Sequence, residues 1–221
     1  PSISACMLSV GFTATSDTYG RKFFKSDGTV AGTAPLKDIN PNGNSGGGNV
    51  TVVGSTLFFT ANDGVHGAEL WKTDGTEAGT MMVKDIRTGS YGIMAKNFTA
   101  VGSLLFFSAS TGSGYELYVS DGTEAGTEML TTGAANNPEW LTEMGGKLYF
   151  TADDTTNGKE LWVSDGTAAG TVLVKDIYPG AADSYPTWIV EMGGKLFFSA
   201  DDGTTGRELY WSDGTEAGTG L

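Results

Sequence analysis

The chain has 221 residues, among them 34 glycines, one cysteine and one histidine, and a formal net charge of −13. So acidic a balance argues against nucleic acid and anionic membrane surfaces as partners. The single cysteine, Cys6, excludes an intrachain disulfide, the lone His66 excludes a multi-histidine metal site, and no apolar run approaches the ~20 residues of a membrane span.

Pro1 stands where an initiator methionine would, so we expect a mature or excised product. Ile3 to Cys6 is expected either to form an innermost strand or to run straight into the next, at Val10-Gly11-Phe12. Lys22-Phe23-Phe24 then leads to Asp27-Gly28-Thr29, with a second Gly-Thr pair at Gly32-Thr33. This pattern recurs at Asp74, Asp121, Asp165 and Asp213, so that successive aspartates lie 47, 47, 44 and 48 residues apart. A fixed period in this range marks a repeat architecture. Asp bonds the backbone two residues on and Gly supplies positive φ, so the five aspartates are read as structural turn formers inside antiparallel hairpins.

Aligned beneath one another, the units predict four strands each. The first strands are Val50 to Val53, Asn97 to Val101, Trp140 to Met144 and Trp188 to Met192. The second are Leu57-Phe58-Phe59, Leu104 to Phe107, Leu148-Tyr149-Phe150 and Leu196-Phe197-Phe198, and the third and fourth flank the aspartate motif. The second strands are apolar on both faces and must be covered on both sides. Face-to-face stacking around an axis does this, which predicts an all-β, five-bladed β-propeller of four-stranded antiparallel blades. We expect one domain over 1–221, with units at about 1–46, 47–94, 95–137, 138–185 and 186–221, the last lacking its outer strand. The Lys-Asp pairs at Lys37-Asp38, Lys84-Asp85 and Lys175-Asp176 are read as solvated edge charges. The third unit has Thr131-Thr132-Gly133 at that place.

Glu69 to Thr80 and Glu160 to Thr171 resemble the ELWxxDGTxxGT repeat family. The units at Glu116 and Glu208 carry Tyr for Trp, and the first unit matches only from Asp27 onward. The resemblance implies a bacterial exported or surface-associated protein with propeller-type repeats, and it implies no activity.

The long connections between units vary in length, whereas the aspartate turns repeat, and binding residues favour variable loops on a rigid frame. We therefore expect the site on the variable face, with Tyr91, Trp140, Tyr178, Tyr185 and Trp188 as candidate ligand-binding residues. Aromatic platforms beside amides suit sugar rings, although Trp140 and Trp188 could instead simply pack between blades. Asp63, Asp154 and Asp202 are the candidate calcium ligands, but turn formation is the simpler role, and no other cofactor is expected. No singular pair of acids breaks the repeat, which argues against a glycoside hydrolase. The expected function is a non-catalytic extracellular or cell-surface binding module for carbohydrate or a surface protein. The alternative is a scaffold of a larger assembly, with self-association through an incomplete terminal blade.

Overall fold

The computed structural model describes residues 10–16, 20–131 and 135–221. The strand expected over Ile3 to Cys6 lies outside them, as does Cys6 itself. Among the described residues there is no helix, and the strands form five antiparallel sheets. The first sheet contains β1 (Val10–Ser16), β2 (Gly20–Ser26) and β3 (Ala34–Pro35). The second is built from β4 (Gly48–Val53), β5 (Thr56–Asn62), β6 (Ala68–Thr73) and β7 (Met81–Lys84), and the third from β8 (Lys96–Val101), β9 (Leu104–Ala109), β10 (Glu116–Ser120) and β11 (Thr127–Met129). The fourth holds β12 (Asn136–Met144), β13 (Lys147–Asp154), β14 (Gly158–Ser164) and β15 (Val172–Lys175). The fifth holds β16 (Thr187–Glu191), β17 (Leu196–Asp201), β18 (Arg207–Ser212) and β19 (Thr219–Gly220). Each sheet is a meander in chain order. The last sheet, expected to lack its outer strand, keeps it as two residues, because Ser212 and Trp211 still find partners in Thr219 and Gly220.

The sequence reading treats 1–221 as one domain, whereas contacts within the chain gather into two compact units. One is Pro1–Ala95 with Gly122–Glu124, and the other is Lys96–Asp121 with Ala125–Leu221.

The aspartate motif closes each hairpin through a chain of hydrogen bonds. The Thr76 amide and hydroxyl both donate to Asp74 Oδ1, at 2.9 and 2.7 Å, and the Gly79 amide donates to Thr76 Oγ1. The Thr80 hydroxyl donates to the Thr76 carbonyl, which leaves Thr80 Oγ1 to accept from Thr73. The same bonds recur around Asp27, Asp165 and Asp213. The carboxylate folds so closely over the second glycine that a Cβ on Gly170 would overlap Asp165, and one on Gly79 would overlap Asp74. That overlap is why the motif needs two glycines, of which only the first has positive φ (93° at Gly166).

Within each unit the sheets stack through one repeated joint. In the first, Phe23 and Leu36 pack on Phe59, Ala61 and Trp71. In the second, Phe106, Leu117 and Val119 pack on Leu148, Phe150 and Ala152, and Tyr149, Leu161 and Val163 pack on Leu196, Phe198 and Ala200. The turn glycine of one sheet lies on an aromatic ring of the sheet before it: Gly122 on Phe58, Gly166 beside Phe106, and Gly214 on Tyr149. The first sheet has Gly11 at this aromatic position, and a cavity of about 60 Å³ remains there, lined by Gly11, Phe23, Lys25, Asp74 and Gly75 among others. Lys37 and Lys175, read as solvated edge charges, instead donate to the carbonyls of Thr80 and Thr219 in the following sheet, at 2.8 and 2.6 Å. Burying a carbonyl without a donor costs about 1–3 kcal/mol, so the ammonium groups are better used at the joint than in water.

An ionisable residue, buried at Lys22, Glu69 and Glu160 and half-buried at Glu116, anchors each connection that leaves one of the first four sheets. Glu69, fully buried at the start of the Leu-Trp run, accepts from the amides of Ile86 and Arg87. Glu160 accepts from Ile177, Tyr178 and Ser184 amides and from the Ser184 hydroxyl at 2.6 Å. Glu116 takes the Thr131 hydroxyl instead. In the first sheet the charge is inverted. Lys22, 1% exposed, donates to Asp38 at 2.6 Å and to the carbonyls of Asn40 and Gly43. An anion gathers amides and a cation gathers carbonyls, so the connection refolds to suit the sign.

Two outcomes follow. Gly170→Ala should lower stability by about 1–3 kcal/mol, whereas Gly220→Ala, with no atom within 4 Å of the added Cβ, should leave the midpoint of urea unfolding unchanged. Burial pushes the carboxyls of Glu69 and Glu160 up from 4.5 to about 7, against the pull of their backbone donors. Their contribution to stability is therefore complete below pH 4.5 and is lost as pH rises through 7. Melting temperature should fall between about pH 4.5 and pH 7 and level off above that, and Glu160→Gln, which cannot ionise, should flatten that fall.

Candidate functional site

The first strand of a sheet is broken by a bulge at one register position in each of four sheets. Pairing slips between Gly48 and Thr51, Lys96 and Thr99, Glu139 and Thr142, and Thr187 and Val190. The residue after the slip begins is left-handed each time: Asn49 (φ 49°), Asn97 (φ 58°), Trp140 (φ 54°) and Trp188 (φ 58°). Asn tolerates this region through its short polar side chain, and a bulky Trp does not. At Asn49 and Asn97 the side chain is spent on the fold, donating to the carbonyls of Ala95 and Pro138. The two tryptophans make no such bond. Backbone strain of this kind is held where a side chain must be aimed.

In the second unit the bulges bring three such positions side by side, because β12 packs against both β8 and β16. Trp140 and Trp188 lie with ring centroids 4.8 Å apart and planes tilted by 46°. Trp140 is half-buried against the core, whereas Trp188 is 70% exposed, so packing between sheets does not account for it. Beside Trp140 opens a cleft of about 490 Å³, lined by Lys96, Asn97, Phe98, Thr99, Glu139, Trp140 and Leu141. Its charges are neutralised locally. Glu139 lies 4.0 Å from the Lys96 ammonium and 3.4 Å from that of Lys159, and Lys96 also sits 3.9 Å above the Tyr115 ring.

The other sequence candidates fall in different surroundings. Tyr185 is about half exposed and left-handed (φ 47°), with the Lys159 ammonium 5.8 Å from its ring. A hydrogen bond to Asp183 holds its hydroxyl above the usual tyrosine range. Tyr178 packs its ring on Gly203, where a Cβ would overlap it. Both belong to the connection threaded between the loops after β13 and β17, where Ser184 donates to the Lys159 carbonyl and Asp201 to that of Ser184. Tyr91 belongs to the first unit, 82% exposed, with the Arg87 guanidinium 5.1 Å from its ring.

Asp63, Asp154 and Asp202 sit in equivalent loops and cap their own turns. Asp63 accepts from the amides of Val65 and His66, and Asp202 from those of Thr204 and Thr205. Asp154 accepts from Thr156, and both it and Asp63 are held below the ordinary carboxyl value by these amides despite partial burial. His66 Nδ1 lies 2.7 Å from Asp63, which raises the imidazole's affinity for a proton. Among the described residues no three His, Cys, Asp or Glu side chains gather as a metal site.

Sequence reasoning missed Lys96, Asn97 and Glu139 as cleft residues. A signal was present, since Asn49, Asn97, Trp140 and Trp188 each stand five residues before their turn glycine (Gly54, Gly102, Gly145, Gly193). Asn at two of these four places is the mark of a left-handed residue.

No protein-family model and no curated protein matches the chain. Solved structures do. A puromycin-hydrolyzing peptidase of Mycobacterium tuberculosis is similar over 96% of this chain and 35% of its own, with 11% identity and a TM-score of 0.54. A structure from a study of two prolyl endopeptidases is similar over 96% and 32%, with 12% identity and a TM-score of 0.54. The computationally designed Ika8 protein is similar over 96% and 57%, with 15% identity and a TM-score of 0.52. The chain thus spans about a third of the peptidases' length and little over half of the designed protein's. At such identities the likeness bears on architecture alone, and with the five meanders above it establishes that the fold is a β-propeller.

Proposed function

We propose that this chain is a non-catalytic binding module that holds a neutral carbohydrate in the cleft beside Trp140 and Trp188, and that it works outside the cell or at its surface. The observation that carries the reading is the tryptophan pair, held in a backbone region hostile to large side chains and yet left open, with Trp188 70% exposed. An apolar sugar face stacks on an indole while the hydroxyls need amides and paired charges, which Asn97, Lys96 and Glu139 supply. A cleft of about 490 Å³ falls inside the range of small-molecule sites. The Lys–Glu pairing favours an uncharged ligand over an acidic one.

The argument for binding over hydrolysis is also local. Glycoside hydrolysis takes two carboxyl groups across the scissile bond. The cleft lining holds one, Glu139, and two lysines engage it. The peptidase activity named for the structural neighbours belongs to chains about three times as long, and nothing in this cleft matches a nucleophile with its base. An extracellular setting is supported by the resemblance of Glu69 to Thr80 and its repeats to an exported repeat family, and by the net charge of −13.

The test is titration of the protein with neutral oligosaccharides of glucose, galactose, mannose and N-acetylglucosamine, followed by tryptophan fluorescence and calorimetry. At least one series should bind and perturb the indole emission. Trp188→Ala should weaken binding at least about tenfold, the loss of one stacked aromatic being about 1.4 kcal/mol or more, with the melting temperature unchanged. Chelation of divalent cations should leave binding as it was. Absence of binding across the panel, or binding indifferent to Trp188→Ala, would refute the proposal.

A further inference from the structure

The connection from β3 to β4 carries three asparagines, Asn40, Asn42 and Asn44. The fold uses the carboxamides of two of them. Asn44 Oδ1 accepts from the Arg21 amide at 2.7 Å, while Asn40 Oδ1 accepts from the Asn42 amide and Asn40 Nδ2 donates to the Asn44 carbonyl. The Asn42 carboxamide makes no hydrogen bond to any described residue, and only its backbone amide is held. Next to it stands Gly43, whose amide reaches the Asn40 carbonyl at 3.3 Å, beyond the usual span of such a bond. With no Cβ on the glycine, nothing shields that nitrogen from the side chain before it. Asn40 lacks this chemistry, because Pro41 follows it and has no N–H.

The chain contains one other Asn-Gly pair, Asn157-Gly158, and there the fold closes the same route. Asn157 Nδ2 donates to Asp154 Oδ2 at 2.9 Å, and the Asn157 amide donates to Asp154 Oδ1 at 2.5 Å. Gly158 is buried at the start of β14, opposite Asp154, and so near the Ala182 carbonyl that an added Cβ would overlap it. Ring closure at this pair would break both side-chain bonds and open a paired strand.

We propose that Asn42-Gly43 is a site of spontaneous covalent modification, at which the Asn42 carboxamide is lost as ammonia and an aspartyl or isoaspartyl residue remains. The Gly43 amide gives its proton to solvent base, and its nitrogen bonds to Asn42 Cγ. The Cγ–Nδ2 bond breaks, and Nδ2 takes up a proton and leaves as ammonia. Water then opens the five-membered imide. Cleavage between Cγ and the Gly43 nitrogen gives aspartate, and cleavage between the Asn42 backbone carbonyl carbon and that nitrogen gives isoaspartate. No electrons are gained or lost, and water is the only co-reactant.

The two products differ in their effect on the fold. Lys22, 1% exposed, directs its ammonium to Asp38 and to the carbonyls of Asn40 and Gly43, the last at 3.0 Å. Aspartate keeps the backbone path and so keeps that bond. Isoaspartate inserts a methylene into the main chain just before Gly43 and draws its carbonyl away from a buried cation, which is costly to leave short of acceptors. Every one of these contacts lies inside the first compact unit.

The experiment stores the unaltered chain for weeks in mildly alkaline buffer made with heavy-oxygen water, and maps its peptides by mass spectrometry. Asn42 should convert with uptake of heavy oxygen, at least about tenfold faster than Asn157, whose bonds must open first. Gly43→Ala is the control. Its added Cβ meets the Asn40 side chain at an ordinary 3.5 Å and Gly43 is not left-handed, so the melting temperature should hold while conversion at Asn42 slows to the rate at Asn157. The isoaspartyl fraction, separated by ion exchange, should melt below the aspartyl one. No conversion at Asn42, conversion as fast at Asn157, or undiminished conversion in Gly43→Ala would overturn the assignment, and equal melting of the two fractions would overturn the link to Lys22.

Discussion

The bond from threonine to aspartate inside each turn is the constraint on which the rest of the molecule depends. By drawing Thr76 or Thr167 back onto its own carboxylate, the motif folds an eight-residue loop flat, with a glycine at its tip and another under the acid. A flat, Cβ-free tip can lie on the aromatic ring of the neighbouring sheet, as Gly122 lies on Phe58 and Gly214 on Tyr149. That contact, with the apolar strands beneath it, hides a surface that no isolated meander could hide. The sheet where it is imperfect shows the consequence, for Gly11 replaces the ring and a cavity remains.

With the stacking fixed by the turns, the opposite ends of the strands are free to vary. The connections there are tied down by single ionisable side chains at the sheet ends rather than by length or composition. Glu69 and Glu160 gather amides and Lys22 gathers carbonyls, so connections of different sequence leave the sheets from the same place. The bulges add the second freedom. A left-handed residue at the start of a first strand turns its side chain out of the alternating pattern, and in the second unit two of these side chains are indoles. One part of the frame thus repeats in order to stack, and the other part, where we propose that a ligand binds, departs from the repeat.

What could be read in the sequence follows this division. Turn and strand positions were legible because their causes are local, an Asp-Gly pair for the one and an apolar run such as Leu104 to Phe107 for the other. The partners of Lys37 and Lys175 were not, because each lies more than forty residues away in the next sheet and local charge pattern points only to solvent. Glu160 reads as the polar first residue of a strand, and its burial is decided by Ser184, which sequence places in a loop. Trp140 and Trp188 were legible as aromatic candidates. Their stacking, the strain at both and the presence of Glu139 between two lysines arise from strand pairing, which residue type alone does not specify.

The most direct test of this account is amide hydrogen exchange, resolved by NMR, at Thr76, Gly79, Thr167 and Gly170. These amides lie in loops at the surface, and composition alone assigns them the rapid exchange of a glycine-rich turn. If the side chains of Asp74, Thr76, Asp165 and Thr167 accept them as described, they should exchange far more slowly than the amide of Gly89, in a variable connection. Exchange at the same rate in both sets would mean that the turns are not held shut, and that the stacking built on them has another cause.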